Sequence, residues 1–295
     1  MYDVIIVGLG PGGMSAGVYA KRGGLKTLIL EKKAPGGLIN ITNLVDNYLG
    51  FDNITGPKLS YKMFEHCKNN GVEYKIEEVT KIKREKDRFL IKTNKSNYES
   101  KTVILAGGRQ PKKIDLEDKL KDLKISRCSV CDAPLYKNKV VLCIGGGNSA
   151  FEEGIYLSDF ASKLYIVTRN EVKADDELVE EAKKRDNIEI YEHESLVDIE
   201  ELDNQYKLKF TNKEFIVDGI FSYIGYQPST EYLSNLNILT DTGYIETDGV
   251  KTVIPGLYAC GDIMKKELYQ IITACGEGAE AATLAKKYIE SIEEN

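Results

Sequence analysis

The stretch VGLGPGG, residues 7–13, follows an apolar run and precedes a stretch of helical character. Its glycines Gly8, Gly10 and Gly13 have the spacing G-x-G-x-x-G. The first glycine of such a loop allows a tight turn, the second lets the backbone approach a pyrophosphate at a helix N-terminus, and the third allows close helix–strand packing. Glu31 ends the next apolar run, where a carboxylate can accept hydrogen bonds from ribose hydroxyls. The sequence therefore predicts a strand, turn, helix and strand that bind a dinucleotide.

A second unit of the same kind lies further along the chain. The loop IGGGNSA, residues 144–150, places Gly145, Gly147 and Ala150 in the related pattern G-x-G-x-x-A, again between an apolar run and a helical stretch. A repeated β-α-β unit of this kind predicts two nucleotide-binding domains.

The end of the strand after this second loop bears on which nucleotide binds there. No acid stands where a carboxylate would bind the ribose of NAD, and Arg169 and Lys173 are the available partners for an NADP 2′-phosphate. Arginine is the better phosphate ligand because its guanidinium binds two oxygens at once. We therefore expect Arg169 to bind the 2′-phosphate, in a site with little other positive charge.

Joints rich in turns indicate how the two domains are connected. Glycine and proline mark residues 107–113 and 225–229, on either side of the second unit. The simplest architecture is α/β, with two Rossmann-like three-layer nucleotide-binding domains, the second inserted in the first. The outer domain comprises residues 1–112 and 229–295, and the inserted domain comprises residues 113–228. Two crossing connections at one boundary form a natural hinge.

Composition narrows the class of protein. With 42% apolar and 29% charged residues among 295, the chain has an ordinary globular composition. The net charge of −6 argues against broad nucleic-acid binding. No run approaches the roughly 18 apolar residues of a membrane span, and the N-terminal stretch does not resemble a signal peptide. We expect a cytoplasmic protein that binds neither nucleic acid nor membrane.

The sequence CSVCD, residues 128–132, has three readings: part of a zinc site, a structural disulfide, or a dithiol that exchanges electrons. Zinc needs four ligands, and the chain offers a single C-x-x-C and two histidines, so no metal site is expected. A disulfide that closes so short a loop adds little stability. Redox exchange is favoured. Asp132, beside Cys131, is a candidate general acid, and its alternative role is to cap the turn that follows.

Several motifs together resemble the low-molecular-weight bacterial thioredoxin reductases, flavoproteins that belong to the pyridine-nucleotide-disulfide oxidoreductases. The resemblance covers essentially the whole chain. It rests on GGLINITNLVDNYLGF (36–51), CSVCDAPLYKNK (128–139), IGGGNSAFEE (144–153) and PGLYACGD (255–262).

The resemblance implies FAD on the outer domain, a redox-active disulfide on the inserted domain, and NADPH as the usual donor. It places Asn47 near the flavin and Asp262 at the ribityl chain. The helix begun by YQIITACGEGAEAA is implied to point its N-terminus at the flavin ring. The residues assigned to FAD are Gly8, Gly10, Gly13, Glu31, Gly37, Asn47, Gly261, Asp262, Gln270 and Ile271. Those assigned to the nicotinamide nucleotide are Gly145, Gly147, Asn148, Ala150 and Arg169.

Roles for the dithiol also follow from the resemblance. Cys131 takes electrons from the flavin, and Cys128 attacks the disulfide of thioredoxin or a thioredoxin-like protein. One dithiol cannot meet both a buried flavin and a protein substrate, so we expect the inserted domain to rotate about the two joints. The resemblance further implies a homodimer.

The chain departs from the family at the donor site. The family's motif His-Arg-Arg-x-x-x-Arg aligns with Thr168, Arg169, Asn170 and Ala174, so two arginines of the 2′-phosphate site are absent, and Tyr269 replaces an arginine that commonly precedes Gln270. NADPH with a weakened clamp is the expected donor. A ferredoxin-dependent flavin thioredoxin reductase is the main alternative, and NADH is a further possible donor. In another class, a flavin redox sensor would switch a partner without turnover.

Overall fold

The computed structural model describes residues 1–42, 44–119 and 124–294, with Val130 described by its backbone alone. Its internal contacts divide the chain into two compact units. Unit 1 comprises Met1–Gln110 and Gln227–Asn295, and unit 2 comprises Pro111–Tyr226. These borders lie two residues before the predicted ones. The binding of a flavin to one unit and of a nicotinamide nucleotide to the other stays a prediction.

The chain forms six α-helices and nineteen strands within the described residues. The strands are β1 (Tyr2–Val7), β2 (Thr27–Glu31), β3 (Leu44–Val45), β4 (Ile54–Thr55), β5 (Glu73–Ile76), β6 (Val79–Glu85), β7 (Arg88–Thr93), β8 (Asn97–Leu105), β9 (Arg109–Pro111), β10 (Ile125–Ser126), β11 (Val140–Ile144), β12 (Lys163–Val167), β13 (Ile188–Tyr191), β14 (Leu196–Leu202), β15 (Gln205–Phe210), β16 (Glu214–Val217), β17 (Gly219–Ser222), β18 (Tyr226–Pro228) and β19 (Leu257–Ala259). The helices are α1 (Pro11–Arg22), α2 (Gly56–Asn69), α3 (Ser129–Asp132), α4 (Asn148–Ser158), α5 (Asp176–Lys183) and α6 (Ile271–Glu293).

Unit 1 is built on a seven-stranded sheet in which β1 lies between β2 and β8, both parallel to it. β8 is long enough to pair with two strands along its other edge. Its first part is antiparallel to β7, and Val103–Leu105 are parallel to β19. Parallel strands bring their carboxyl ends to one edge, so the loops after β1, β2, β8 and β19 gather there.

The apolar run in β1 is buried on both faces of this sheet, as its sequence predicts for a central parallel strand. Val4 and Ile6 pack into the core beneath α1 and α6, whereas Ile5 and Val7 pack into the core on the opposite face. All four side chains are at most 6% exposed.

Unit 2 has a parallel five-stranded sheet in the order β10-β17-β11-β12-β13. On one face, Val141 and Cys143 of β11 pack with α4 and α5. On the other, Leu142 packs against the antiparallel meander β14-β15-β16. Helices, parallel sheet and meander form three layers, in agreement with the predicted Rossmann-like class.

Strands β9 and β18 contain the two points at which the chain passes between the units. Within unit 1 the Ser229 N–H donates to the Gly108 carbonyl at 3.0 Å, and within unit 2 the Lys112 N–H donates to the Gly225 carbonyl at 2.9 Å. Both crossings therefore lie close to the predicted joints, and rotation about them stays a prediction.

The late part of unit 1 forms a single long helix. The helix predicted to begin within residues 269–282 is α6, Ile271–Glu293. Among the helices that the structure describes, none combines the length and the apolar character needed to cross a membrane.

Candidate functional site

The first glycine loop has the geometry of a phosphate cradle. Gly8 has φ +111°, and a Cβ there would lie 2.3 Å from the Ala106 carbonyl oxygen, so the position requires glycine. A Cβ on Gly13 would lie 1.9 Å from the Gly8 oxygen. A Cβ on Gly10, by contrast, would meet no atom within 4 Å. The first and third glycines permit the turn and the packing, and the second faces open space at the N-terminus of α1.

Glu31 and Gly37 lie beside this loop. Glu31 accepts the N–H of Leu9 through Oε2 at 2.7 Å, which fixes its carboxylate against the turn. A Cβ built on Gly37 would lie 3.8 Å from the Gly10 Cα. A cavity of about 350 Å³ opens here, lined by Gly8, Glu31, Gly107, Tyr232 and neighbouring residues.

The N-terminus of α6 contributes a further part of the unit 1 site. Gln270 caps the helix, in a reciprocal capping box with Thr273, and Ile271 is the first helical residue. The Asn47 side-chain amide donates to Gln270 Oε1 at 3.2 Å. Two residues assigned to the flavin are thus in contact although 223 positions separate them.

The loop after β19 places Gly261 and Asp262. The Gly261 N–H donates to Glu277 Oε2 at 2.7 Å, which ties this loop to α6. Asp262 Oδ2 accepts hydrogen bonds from Arg109 Nε at 3.2 Å and from its terminal nitrogen at 3.1 Å. The same guanidinium lies 4.0 Å from the ring centre of Tyr269. An arginine therefore stacks on the tyrosine that replaces the family's arginine.

The second glycine loop repeats the geometry of the first. A Cβ on Gly145 would lie 2.5 Å from the Tyr223 carbonyl oxygen, whereas a Cβ on Gly147 would meet no atom within 4 Å. Ala150 occupies the third position, is fully buried, and donates its N–H to the Gly147 carbonyl at 2.9 Å. A cavity of about 700 Å³ within unit 2 opens onto this loop, large enough for much of a dinucleotide.

Arg169, the predicted ligand of a 2′-phosphate, is paired with an acidic side chain. Arg169 lines the unit 2 cavity and forms an exposed ion pair with Asp115. Asn148, at the start of α4, exchanges two hydrogen bonds with Asp175, at 2.8 and 2.9 Å. Lys173 also lines the cavity and has no ion pair within residues 1–42, 44–119 and 124–294.

Buried polar atoms without partners support ligand binding in both cavities. In the part of the chain that the structure describes, four buried side-chain polar atoms have no hydrogen-bond partner. Three belong to residues that line the cavities: Tyr232 Oη in unit 1, and Ser222 Oγ and Arg127 Nε in unit 2. Such atoms are rare because an unmade buried hydrogen bond costs about 1–3 kcal/mol.

Cys128 and Cys131 form a disulfide whose Cα atoms are 5.3 Å apart. Cys128 is the N-cap of α3, and its sulfur accepts the Cys131 N–H at 3.2 Å. A donor at this position stabilises a thiolate on Cys128 after reduction. Cys128 is 6% exposed, whereas Cys131 is exposed. The sulfur assigned to attack on thioredoxin therefore has to become accessible when the disulfide opens.

Asp132 ends α3 next to the exposed cysteine and is half-buried. Its side chain makes no capping hydrogen bond to the 3₁₀ helix Ala133–Tyr136. The capping role is thus not observed, and the role of general acid stays a prediction. Among the described residues, no group of three or more His, Cys, Asp and Glu side chains has the arrangement of a metal site.

Sequence reasoning missed several residues that the fold brings to these sites. Arg109 follows the parallel strand β8, and a cation at that strand end was a usable signal. Tyr232 and Ser222 lie outside every motif of the sequence, whereas Glu277 lies within the stretch YQIITACGEGAEAA, where its contact with Gly261 was not foreseen.

Comparisons with known proteins agree with this geometry. The model of the family "Pyridine nucleotide-disulphide oxidoreductase" matches residues 2–278. The thioredoxin reductase of Bacillus subtilis (strain 168) is 39% identical over 305 residues, covering 100% of this chain and 96% of the relative. The crystal structure of Lactococcus lactis thioredoxin reductase superposes with a TM-score of 0.88 at 36% identity, covering 99% of this chain and 100% of the other. A ferredoxin-flavin thioredoxin reductase from Clostridium acetobutylicum is 31% identical, with a TM-score of 0.56 and 98% of each chain covered.

Two glycine loops at strand ends, a disulfide at a helix N-terminus and full-length relatives point to one assignment. The chain belongs to the pyridine nucleotide-disulphide oxidoreductase family and, within it, to the low-molecular-weight bacterial thioredoxin reductases, flavoprotein oxidoreductases that act on a disulfide.

Proposed function

We propose that the chain holds FAD in unit 1, takes electrons from NADPH bound in unit 2, and passes them through the Cys128–Cys131 disulfide to thioredoxin. The observation that carries this proposal is the disulfide itself. It lies at the N-cap of α3, in the same unit as the second glycine loop, with one cysteine exposed and a backbone donor on the sulfur of the other.

The unit 1 residues fit FAD. Gly10 leaves room for a pyrophosphate at the N-terminus of α1, Glu31 stands at the end of β2 to bind ribose hydroxyls, and Tyr232 offers an unpartnered buried hydroxyl in the same cavity. When bound, FAD accepts two electrons from a nicotinamide and delivers them to a disulfide. Asp262 is held by Arg109 in the position proposed for the ribityl chain.

The unit 2 cavity supports a nicotinamide nucleotide as donor. Gly147 leaves room for a pyrophosphate, and Ser222 and Arg127 present unpartnered polar atoms. Arg169 and Lys173 supply positive charge for a 2′-phosphate, although Asp115 neutralises part of it. NADPH with a weakened clamp is therefore proposed, with reduced ferredoxin as the second candidate because two clamp arginines are absent from the sequence.

The cysteines then act in sequence. Two electrons open the disulfide and two protons are taken up, one by Cys131 and the other by a neighbouring group, so that Cys128 becomes a thiolate. The Cys128 thiolate, stabilised by the Cys131 N–H, attacks one sulfur of thioredoxin and forms a mixed disulfide, while the other thioredoxin sulfur leaves with a proton that Asp132 can supply. Cys131 then attacks Cys128, which releases reduced thioredoxin and restores the intramolecular disulfide.

Variants of the cysteines test the proposal. In the flavin-loaded enzyme with NADPH and thioredoxin, C128S and C131S each should abolish disulfide turnover, while reduction of the flavin by NADPH continues. The four other cysteines provide a matched control, and C67S should retain turnover. Full turnover in C128S would contradict the proposal, and a protein that cannot bind FAD would reject it at an earlier step.

The donor is identified by anaerobic mixing. We expect NADPH to bleach the oxidised yellow protein, whereas bleaching by reduced ferredoxin alone would favour the second candidate. Disulfide turnover with either donor separates a reductase from a redox sensor. The homodimer, the thioredoxin served and the cytoplasmic location stay predictions from the sequence.

A further inference from the structure

The helix that carries the disulfide is tied to the helix after the second glycine loop by three side chains. The Ser129 N–H donates to Glu153 Oε2 at 3.2 Å. The hydroxyls of Ser129 and Tyr223 lie 2.7 Å apart, and the Tyr223 hydroxyl donates to the same Glu153 oxygen at 3.5 Å. Ser129 is fully buried. These three residues, the Glu153 network, connect α3 to α4 and to the residue after β17.

The network holds a carboxyl group in a poorly hydrated place. Burial raises the pKa of Glu153 above its ordinary value, the charge of Glu152 adds to the rise, and hydrogen bonds from Ser129 and Tyr223 oppose it. Burial also raises the pKa of Tyr223 and of the Cys143 thiol on β11, so both groups stay neutral near pH 7. These are the titratable groups that act on Glu153 from its own helix and from the neighbouring elements.

The carboxyl and the disulfide share one helix end. Glu153 accepts the N–H of Ser129, the first residue of α3, and the sulfur of the N-cap residue Cys128 accepts the N–H of Cys131. A thiolate on Cys128 and a carboxylate on Glu153 would therefore occupy neighbouring backbone donors. Two negative charges bound to N–H groups of one helix turn disfavour each other, so each raises the pKa of the other. Titrations coupled in this way belong to the pair of groups.

We propose that Glu153 is a positioning residue that sets the redox equilibrium of the Cys128–Cys131 pair, because it orients α3 through Ser129 and takes up a proton when the disulfide is reduced. Reduction of the disulfide takes up two electrons and two protons. Two electrons break the S–S bond, one proton goes to Cys131, Cys128 becomes a thiolate, and the second proton goes to Glu153. The proposal rests on the assignment of this disulfide as the redox pair of the proposed function.

The test is the equilibrium of the holoenzyme with the dithiothreitol couple between pH 6 and 8.5, measured anaerobically by trapping the free thiols of Cys128 and Cys131. Dithiothreitol releases two protons on oxidation in this range. If the enzyme also takes up two, the equilibrium constant should not change with pH. Reduction of E153Q takes up only one proton at a pH where Cys128 is a thiolate. The equilibrium constant should therefore rise about tenfold per pH unit in favour of the reduced enzyme, which corresponds to about 30 mV per pH unit.

Two further measurements distinguish the effect of the Glu153 charge from a structural effect of the substitution. E152Q removes a neighbouring exposed carboxylate from the same helix, and it should leave the constant independent of pH. The pH profile of Cys128 alkylation should stay the same in E153Q, because the thiolate faces an uncharged side chain at position 153 in both proteins. A pH-independent constant in E153Q, or equal effects of E152Q and E153Q, overturns the proposal.

Variants of Tyr223 and Ser129, the two hydroxyl groups beside Glu153, keep the proposal testable if E153Q does not fold. Y223F and S129A each remove a hydroxyl that stabilises the Glu153 carboxylate, so the pKa of the carboxyl should rise and the pH range over which the constant is flat should move to higher pH. A flat range that keeps its place or moves to lower pH in both variants contradicts the proposal. Because these equilibria need no turnover, they stand apart from the C128S test, which addresses the function itself.

Discussion

The open space beside Gly10 leads to a sharp prediction about flavin binding. Gly10 has φ −83° and ψ −174°, which an alanine adopts without strain, and a Cβ there would meet no atom within 4 Å. At Gly13, three residues later, an added methyl group would lie only 1.9 Å from the Gly8 carbonyl oxygen. G10A should therefore damage FAD binding and spare the fold, whereas G13A should damage the fold.

The expected magnitudes follow from this geometry. Alanine at the N-cap position of α1 loses about 0.5–1 kcal/mol relative to glycine, and a less flexible unfolded chain returns about 0.4–1 kcal/mol, so the stability of apo G10A should stay close to wild type. The added methyl pushes the pyrophosphate away from the backbone N–H groups. Losing one charge-assisted hydrogen bond of about 1.5–3 kcal/mol weakens FAD binding roughly 10- to 100-fold. Overpacking at Gly13 costs about 1–3 kcal/mol of unfolding free energy.

Two assays on the apoproteins distinguish these outcomes. Quenching of FAD fluorescence on titration gives the dissociation constant, and circular dichroism gives the midpoint of thermal unfolding. G10A should keep the wild-type midpoint, while G13A should lower it by about 3–10 °C. Wild-type FAD affinity in G10A, or a loss of stability equal to that of G13A, would refute the assignment of this loop as a pyrophosphate cradle.

Three other predictions concern unit 2. G147A should fold normally and bind FAD normally, yet slow flavin reduction by NADPH by about tenfold or more, because its methyl enters the open space of the second loop; stopped-flow absorbance measures this rate. R169A should raise the KM for NADPH several-fold and leave the KM for NADH unchanged, whereas D115N should lower the KM for NADPH because it frees the Arg169 guanidinium. Steady-state kinetics with both donors measures these effects. Equal changes of KM for NADPH and NADH would contradict the assignment of Arg169 to the 2′-phosphate. Burial raises the pKa of the Cys143 thiol, so the folded state keeps a proton that the unfolded chain loses above about pH 8.5, and stability falls as pH rises. Urea unfolding of C143A should show about 1 kcal/mol less loss between pH 7 and 9.5 than wild type, and an equal loss would argue that this thiol does not govern the alkaline limb.

Local pattern was enough to predict the two glycine loops and the elements that flank them. The turn at Gly8, a helix after it and the strand end at Glu31 are encoded within a short segment, because each depends on backbone geometry or on apolar periodicity. The helix itself begins earlier than the predicted helical stretch, at Pro11. The second loop was predicted in the same way, whereas the N-cap position of Cys128 was not.

The contacts that complete the sites could not be predicted in this way. Arg109 meets Asp262 across 153 positions, and Ser129 meets Tyr223 across 94. Such pairs depend on which strands become neighbours in the sheet, and a single sequence gives no local signal for that choice. The ion pair of Arg169 with Asp115 has the same character, since the sequence showed the cation without its partner.

The split edge of β8 has a consequence for how the protein is made. Leu105 ends β8, and its partner strand β19 begins at Leu257, which is synthesised 152 residues later. At about 5–20 residues per second, a ribosome leaves that edge uncovered for roughly 8–30 s. The inserted unit emerges within this interval and has all of its own strands, so it is expected to fold first. A nascent chain stalled before residue 257 would then present a finished disulfide-bearing unit beside an unfinished sheet, the natural target for a chaperone that recognises exposed strand edges.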